Sequence, residues 1–373
     1  MPTMPNHRLN VLAEPARLSV PNTFNRRTAI RAAFLVVPIG MSFALPRSDS
    51  ASASGPPTIN IIDAVSRGID DFILGMTKPD ATNTGVPGSA PLTQYIGPAT
   101  LTAPNINYDG LIFSNFMKLR ASATGSTFTN CLFQGPTVAP LGQSALLSSE
   151  PGIDGIEITR CTFRPRVPGY YVNGIYGWGG VTISRCDISR VVDGIDPFGG
   201  SYFVFGNYIH DFAHYSPSPT NGDNQTHNDA MQIQGGSGTV VVGNNFQAFA
   251  DMAVSTDTLG LLGPQNQVNS CMMIKPDVSD ISSLTVTDNW LDGGMYSINI
   301  ANRSASPVRT IGNLGRIQRN RFGRKQSIQG PGGNSTFTID LPKTSVCDTG
   351  DGTPNQNLYA DSGAAVTVRR TNV

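Results

Sequence analysis

VTISRCDI, the stretch from Val181 to Ile188, alternates apolar β-branched residues with small polar ones, turns at Arg185-Cys186 and closes on a large apolar side chain. The pattern recurs as STFTNCLF (126–133), IEITRCTF (156–163), YFVFGNYI (202–209), TVVVGNNF (239–246), LTVTDNWL (284–291) and GRIQRNRF (315–322). Successive Cys or Asn positions, from Cys131 to Asn320, are 30, 25, 21, 37, 45 and 31 residues apart. A fixed core pattern at variable spacing describes a solenoid that carries loop insertions. Period-2 runs of Val, Ile, Thr, Phe and Tyr specify strands, and the 3.6-residue period that a helical solenoid needs is missing.

Coils of roughly 20–25 residues, each with three short strands, stack parallel strands about 4.8 Å apart. The recurring Asn and Cys then form one column. Asn side chains can hydrogen-bond along such a stack, and small, fairly apolar Cys fits the same slot. Cys131, Cys161 and Cys186 are therefore expected to pack in the column, with a disulfide as the second reading. The chain has five cysteines and no C-x-x-C spacing, so zinc is not suggested.

On these repeats the chain from about Asn105 to Phe322 resembles the right-handed parallel β-helix proteins. That architecture is shared by pectate lyases, polygalacturonases, alginate lyases and epimerases, and phage tailspike depolymerases. The resemblance implies an all-β fold, a single right-handed parallel β-helix with an N-terminal cap, and does not reach one enzyme family closely. The expected organisation is an export signal over 1–53, a cap and lead-in over 54–104 with the cap at 57–76, the β-helix over 105–345, and a C-terminal cap or tail over 346–373.

Composition agrees. Charged residues make up 14%, against roughly a quarter in an ordinary soluble domain. The 40 Gly and 27 Pro suit many tight turns. Formal net charge is zero and no basic stripe follows the first thirty or so residues, so nucleic acid is not an expected partner. At the N-terminus, Arg26-Arg27 precedes an apolar run from Ala32 to Leu45 and the small-residue tract Ala51-Ser52-Ala53. This resembles a twin-arginine export signal with a long leader. The apolar run is interrupted by Pro38 and Gly40 and is short for a membrane span. A secreted or cell-surface protein without stable membrane insertion of the mature chain is expected.

Aligning the units on the Cys/Asn slot places Ile175, Ile195, Met231 and Ile298 in one inward column. Their successors Tyr176, Asp196, Gln232 and Asn299 then point outward together. For the coil between Asn244 and Asn289 two segments compete: ADMAVST, with Val254 in the column, and CMMIKPD, with Lys275 there. The insertions at 165–171, 215–226 and 256–270 frame this face, where long loops on a rigid sheet usually build binding sites. His210, His214 and His227 flank the insertion before Asp229. One reading is an acid–base group, His227 oriented by Asp229 with Asp196 one coil away. A second is a divalent metal held by His210, His214, His227 and Asp229, and a third is a solvated bend.

The expected activity is binding and cleavage of an extracellular polysaccharide. Hydrolysis needs two carboxylates roughly 5–9.5 Å apart, with Asp196 and Asp229 as first candidates and Asp193, Asp223 and Asp251 in reserve. Lyase chemistry, slightly favoured, needs a base and groups that neutralise a uronate carboxylate. His227, Lys275 or Tyr176 would be the base and Gln232 and Asn299 the donors. The catalytic candidates are thus Asp196, His227, Asp229 and Lys275. The substrate-binding candidates are Tyr176, Asp193, Gln232, Gln234, Asn299, His210 and Arg166. No cofactor is required, and a divalent metal is the alternative. A non-catalytic surface or structural β-helix that binds glycan is the other class.

Family motifs match incompletely. The NTD, DD, GHG and RIK series of polygalacturonases is missing. RVPGYY (166–171) begins like the pectate lyase RxPxxR pattern and ends in Tyr. DGIDPF (193–198) is similar to the YGFDPH of alginate epimerases, with Phe198 in place of the histidine. HNDAMQ (227–232) resembles the H-x-D-G-I-Q pattern of exported β-helix proteins, with Ala230 and Met231 replacing Gly and Ile.

Overall fold

A computed structural model describes residues 77–301, 309–327, 339–342, 346–366 and 368–371. The export signal at 1–53 and the cap at 57–76 lie outside the described residues. Among the described residues the regular elements are strands apart from one short 3-10 turn at Ala121–Ala123; the fold is all-β, a parallel β-helix.

Among the described residues, successive strands visit three parallel sheets in rotation, interrupted by four two-residue strands that form two small sheets of their own. The first sheet has ten strands, from Thr93–Gln94 to Leu358–Tyr359; the second has ten, from Thr100–Leu101 to Val368–Thr371; the third has nine, from Asn107–Asp109 to Cys347–Asp348. The coils therefore begin in the lead-in, before Asn105, and continue through the residues assigned from sequence to the tail. Among the described residues no helix is long and apolar enough to cross a membrane.

Each sheet directs one column of apolar side chains inward. In the first, Phe113, Phe133, Phe163, Ile188, Ile209, Phe246, Leu291 and Phe322 pair coil to coil. The rings of Phe113 and Phe133 stack at 4.7 Å, and those of Phe133 and Phe163 at 4.4 Å, close to the spacing of adjacent strands. In the second sheet Ile175, Ile195, Met231, Met272 and Ile298 align. Ile158, Ile183, Val204, Val241, Val286 and Ile317 do so in the third. These residues are essentially inaccessible, and their burial contributes most of the stability.

The Asn/Cys slot lies at the corner between the third and first sheets. Asn207, Asn244, Asn289, Asn320 and Asn357 form a continuous ladder. Each side-chain oxygen from Asn244 onward accepts the backbone N–H and the amide N–H of the Asn one coil earlier, at 2.9–3.1 Å. Cys131, Cys161 and Cys186 fill the slot in the earlier coils as free, buried thiols, as packing predicts. The residue before the slot takes a left-handed conformation, with φ of 51° to 64° at Asn130, Arg160, Arg185, Gly206, Gly243, Asp288 and Arg319. That corner repeats although only two of its residues are Gly, and the slot hydrogen bonds offset the strain.

The glycines of three turns, WGG (178–180), FGG (198–200) and QGG (234–236), have a different reason. A Cβ on Gly200 would sit 2.4 Å from Gly179 O, and one on Gly236 would sit 2.3 Å from Gly200 O. Stacked backbones at the second-to-third corner leave no room for a side chain.

The long insertions gather at the opposite corner, between the first and second sheets. Tyr215–Ser216 pairs in parallel with Thr256–Asp257, so two insertions extend the solenoid sideways as a small sheet. Tyr170, from the 165–171 insertion, contacts Tyr215 edge-on at 6.1 Å.

Candidate active site

The outer face of the second sheet carries the column expected there. Tyr176 pairs with Asp196; the pairing of Ile195 with Met231 sets Asp196 beside Gln232; Gln232 pairs with Met273, and Met273 with Asn299. Asp196 and Gln232 thus neighbour each other on one face, and Asp229 starts the strand that carries Gln232. Met273 separates Gln232 from Asn299. The strand of that coil is Ser270–Ile274, so neither expected candidate fills its column. Val254 lies in a turn, its N–H on Asp251 O. Lys275 follows the strand, two residues past Met273, and pairs with Asp277 at 2.8 Å.

Three carboxylates cluster on this wall, Asp193, Asp196 and Asp229, with 7%, 1% and 1% of their surface exposed. Asp193 Oδ1 accepts the backbone N–H of Asp229 at 2.9 Å, which locks one coil to the next. Asn173 donates through Nδ2 to Asp196 Oδ2 at 2.8 Å. Asp229 Oδ1 accepts from Asn269 Nδ2 at 2.9 Å and from the Ser270 hydroxyl. The other oxygen of Asp196, Oδ1, is buried with no hydrogen-bond partner.

Among the described residues no Lys or Arg pairs with any of these carboxylates. Burial, reinforced by the neighbouring carboxylates, pushes Asp193 and Asp196 well above the usual carboxylate range. Burial likewise raises Asp229 to about 6, against the donors Ser270 and Asn269, which favour its charged form. Three like charges cannot be sustained in one desolvated place, so the cluster holds protons at neutral pH.

The histidines separate. His210 lies on the first sheet, stacked on Tyr208 at 3.8 Å and bonded through Nδ1 to Asp211 at 2.8 Å. It is therefore not a substrate-binding residue of this wall. Burial opposes its charge, yet the carboxylates of Asp187, 3.4 Å from Nε2, and Asp211 prevail and raise its pKa. His227 stands exposed in the insertion, and its Nε2 meets Asp223 Oδ2 at 2.7 Å. Asp223, not Asp229, orients it. His214 is buried beneath the same insertion, its Nδ1 3.2 Å from Asn228 Oδ1. No group of three or more His, Cys, Asp or Glu among the described residues could hold a metal ion, so the four-ligand reading fails.

The remaining candidates flank the wall. Tyr176 stacks against Phe198 at 5.3 Å, and burial raises its hydroxyl pKa. The backbone carbonyl of Gln234 takes the N–H groups of Val278 and Ser279, placing it at the corner beyond the strand. Arg166 is exposed, and its backbone N–H bonds Gln134 O; no side-chain contact brings it to Asp196 or Asp229 among the described residues. Of the reserve carboxylates, Asp251 pairs with Arg190 at 2.9 Å.

Residues that sequence reasoning missed are those that orient the carboxylates: Asn173, Asn269 and Ser270. Asn173 carried a signal, since it aligns with Asp193 and Asp229 at the start of successive strands.

A cavity of about 200 Å³ opens beside the cluster, lined in part by His214, Thr226, His227, Val268 and Asn269. Asn269 is the link, because it borders the cavity and also donates to Asp229. No family model, curated protein or solved structure matches the chain.

Proposed function

We propose that the protein is an exported polysaccharide hydrolase that binds a glycan along the outer wall of the second sheet. The observation that carries this reading is the buried group Asp193, Asp196 and Asp229, held by amide and hydroxyl donors with no paired cation. A carboxyl kept protonated near neutrality serves as a general acid, and a second of lower pKa serves as base or nucleophile. In this reading Asp196 is the acid and Asp229 its partner. The uronate lyase alternative has less support, because the two lysines of this sheet, Lys118 and Lys275, are already paired with Glu150 and Asp277 rather than with the carboxylate group. The resemblance to β-helix polysaccharide enzymes supports the substrate class, and the Arg26-Arg27 leader supports export.

One observation favours a non-catalytic glycan binder instead. Asp193 and Asp229 already tie adjacent coils together through Asp193 Oδ1, Asn269 and Ser270, which is a structural use for them. Assays on neutral and uronic polysaccharides, reading reducing ends for hydrolysis and ultraviolet absorbance of unsaturated uronides for elimination, separate the possibilities. Hydrolysis that falls roughly a hundredfold or more in Asp196→Asn and Asp229→Asn is expected. Silence with every polysaccharide leaves the binder; unsaturated products restore the lyase.

A further inference from the structure

Outward side chains of the second sheet stack coil on coil, and one place in that stack is held by a residue too small to fill it. Tyr176 pairs with Ser148 of the preceding coil, and Ser148 with Lys118 of the coil before that. On its other side Tyr176 stacks against Phe198, centroid to centroid at 5.3 Å. Among the described residues no second ring covers the face of Tyr176 that looks toward Ser148. The Ser148 hydroxyl is turned onto Met117 O at 3.2 Å, flat against the wall. Adjacent strands lie about 4.8 Å apart, so Lys118 and Tyr176 stand about 9.6 Å apart, with the thickness of one flat ring between them. Lys118 Nζ is held by Glu150 at 2.9 Å, which fixes the far side of the gap.

The Tyr176 ring is firmly set and still open. Trp178 meets Phe198 edge-on at 6.5 Å, and a Cβ on Gly199 would lie 2.5 Å from the indole, so Trp178 rests on the backbone of the next coil. The Ser149 hydroxyl clamps the backbone of Trp178, donating to its carbonyl at 2.7 Å and accepting its N–H at 3.0 Å. Tyr176 is partly exposed, and its hydroxyl reaches the surface with no hydrogen-bond partner among the described residues. A rigid aromatic face beside a free hydroxyl suits the C–H face of a sugar and one of its hydroxyl groups, and little side-chain entropy is lost on binding. Asp196 pairs with Tyr176 on the Phe198 side. A ring over Ser148 is therefore two coils from Asp196, where it holds the glycan without touching the reacting bond.

We propose that the gap over Ser148 is a subsite for one flat pyranose ring, which stacks on the open face of Tyr176 and bonds its hydroxyl. A ring with every substituent equatorial, as in β-1,4-linked glucose or xylose chains, is a slab one ring thick. An axial linkage or an axial hydroxyl widens it beyond the gap. The inference rests on the glycan reading above and narrows the substrate to a β-linked, all-equatorial chain.

Isothermal titration of the full chain carrying Asp229→Asn, which slows cleavage and whose fold is checked by circular dichroism, tests the subsite. Cellohexaose and xylohexaose are compared with maltohexaose, mannohexaose and hexagalacturonate, and one of the first two binds most tightly. Ser148→Phe completes the aromatic stack and fills the gap, and affinity falls roughly tenfold or more. Tyr176→Leu removes the ring and costs about as much. Tyr176→Phe keeps the ring and costs roughly fivefold or less, the value of one neutral hydrogen bond. Ser148→Phe adds a side chain at the surface and leaves the core untouched, so the test survives a misfolded Tyr176 variant. Three results overturn the proposal: neither cellohexaose nor xylohexaose binds at millimolar concentration, one of the other three binds best, or Ser148→Phe leaves the affinity unchanged. Binding that both substitutions weaken, in a protein that cleaves no polysaccharide, sinks the hydrolase reading alone. Cleavage with affinity indifferent to both substitutions sinks the subsite alone.

Discussion

Asp229 couples the candidate chemistry to the stability of the coil beneath it. Its folded pKa, raised to about 6 by burial, exceeds the ordinary value of 3.8, so the folded state binds the proton more tightly than the unfolded chain. The associated stability is fully present below about pH 3.8 and is lost as pH rises through about 6. A difference of about two pKa units corresponds to roughly 3 kcal/mol at most. Asp229→Asn retains the acceptor for Asn269 and Ser270 and removes the charge. Its stability relative to wild type is therefore expected to rise between pH 4 and pH 6.5 by roughly 1–3 kcal/mol and then level off, as measured by urea denaturation across that range. A difference independent of pH would mean that Asp229 titrates as an exposed carboxylate. His214 acts in the opposite direction: its lowered pKa makes the stability of its neutral form present above about 6.5 and lost as pH falls. The sequence brought Asp196 and Gln232 to one face because strand alternation fixes the direction of each side chain, whereas Asp229, two residues before the inward Met231, joins Asp196 only through its place at the start of the neighbouring strand. It misassigned the partner of His227 because Asp223 and Asp229 lie on either side of it within a few residues, and the bend of the insertion chooses between them.

The slot ladder is the element the sequence rendered most legibly, since a backbone corner that needs its N–H satisfied admits few side chains. Asn244 accepts two hydrogen bonds from Asn207 and donates to Val204 O, Val242 O and Asn289 Oδ1. Asn244→Ala strands several buried groups at once, and a loss of about 2–4 kcal/mol is expected in chemical denaturation. Cys186→Ala, in the same slot, removes only a weakly bonded thiol and should cost about 1 kcal/mol. Equal losses in the two variants would reduce the ladder to simple packing. Asn357 belongs to the ladder, yet the run PNQ before it is not strand-like, and the recurring pattern therefore passed over it. Met273 in place of Lys275 has a related cause. Once a long insertion separates slot from strand, counting residues no longer fixes the register, and the apolar pair Cys271 and Met272 decides which segment enters the core.

At the scale of the molecule the three sheets turn a repeating sequence into a one-dimensional stack, in which each coil contacts chiefly the coils above and below. The repeating part was readable from sequence because every coil solves the same burial problem. The limits of the stack were not, since the two-residue strands at Thr93–Gln94 and Leu358–Tyr359 are too short to show an alternation. Stability in such a stack is a sum of coil and interface contributions, so a defect is felt according to its position. The ladder bond from Asn320 to Asn357 lies near the C-terminal end, whereas Asn244 lies beneath the carboxylate coils. Asn320→Ala should therefore loosen the coil of Asn289, whose N–H groups it accepts, and the coils beyond it, and hydrogen exchange should accelerate across residues 284–366 while the peptides at 172–233 keep wild-type protection. Asn244→Ala interrupts the stack in its middle, and exchange should quicken in the coils on both sides, including the strand of Asp229. If Asn320→Ala instead accelerates exchange uniformly along the chain, the solenoid unfolds as one cooperative unit, and the site's stability cannot be tuned independently of its ends.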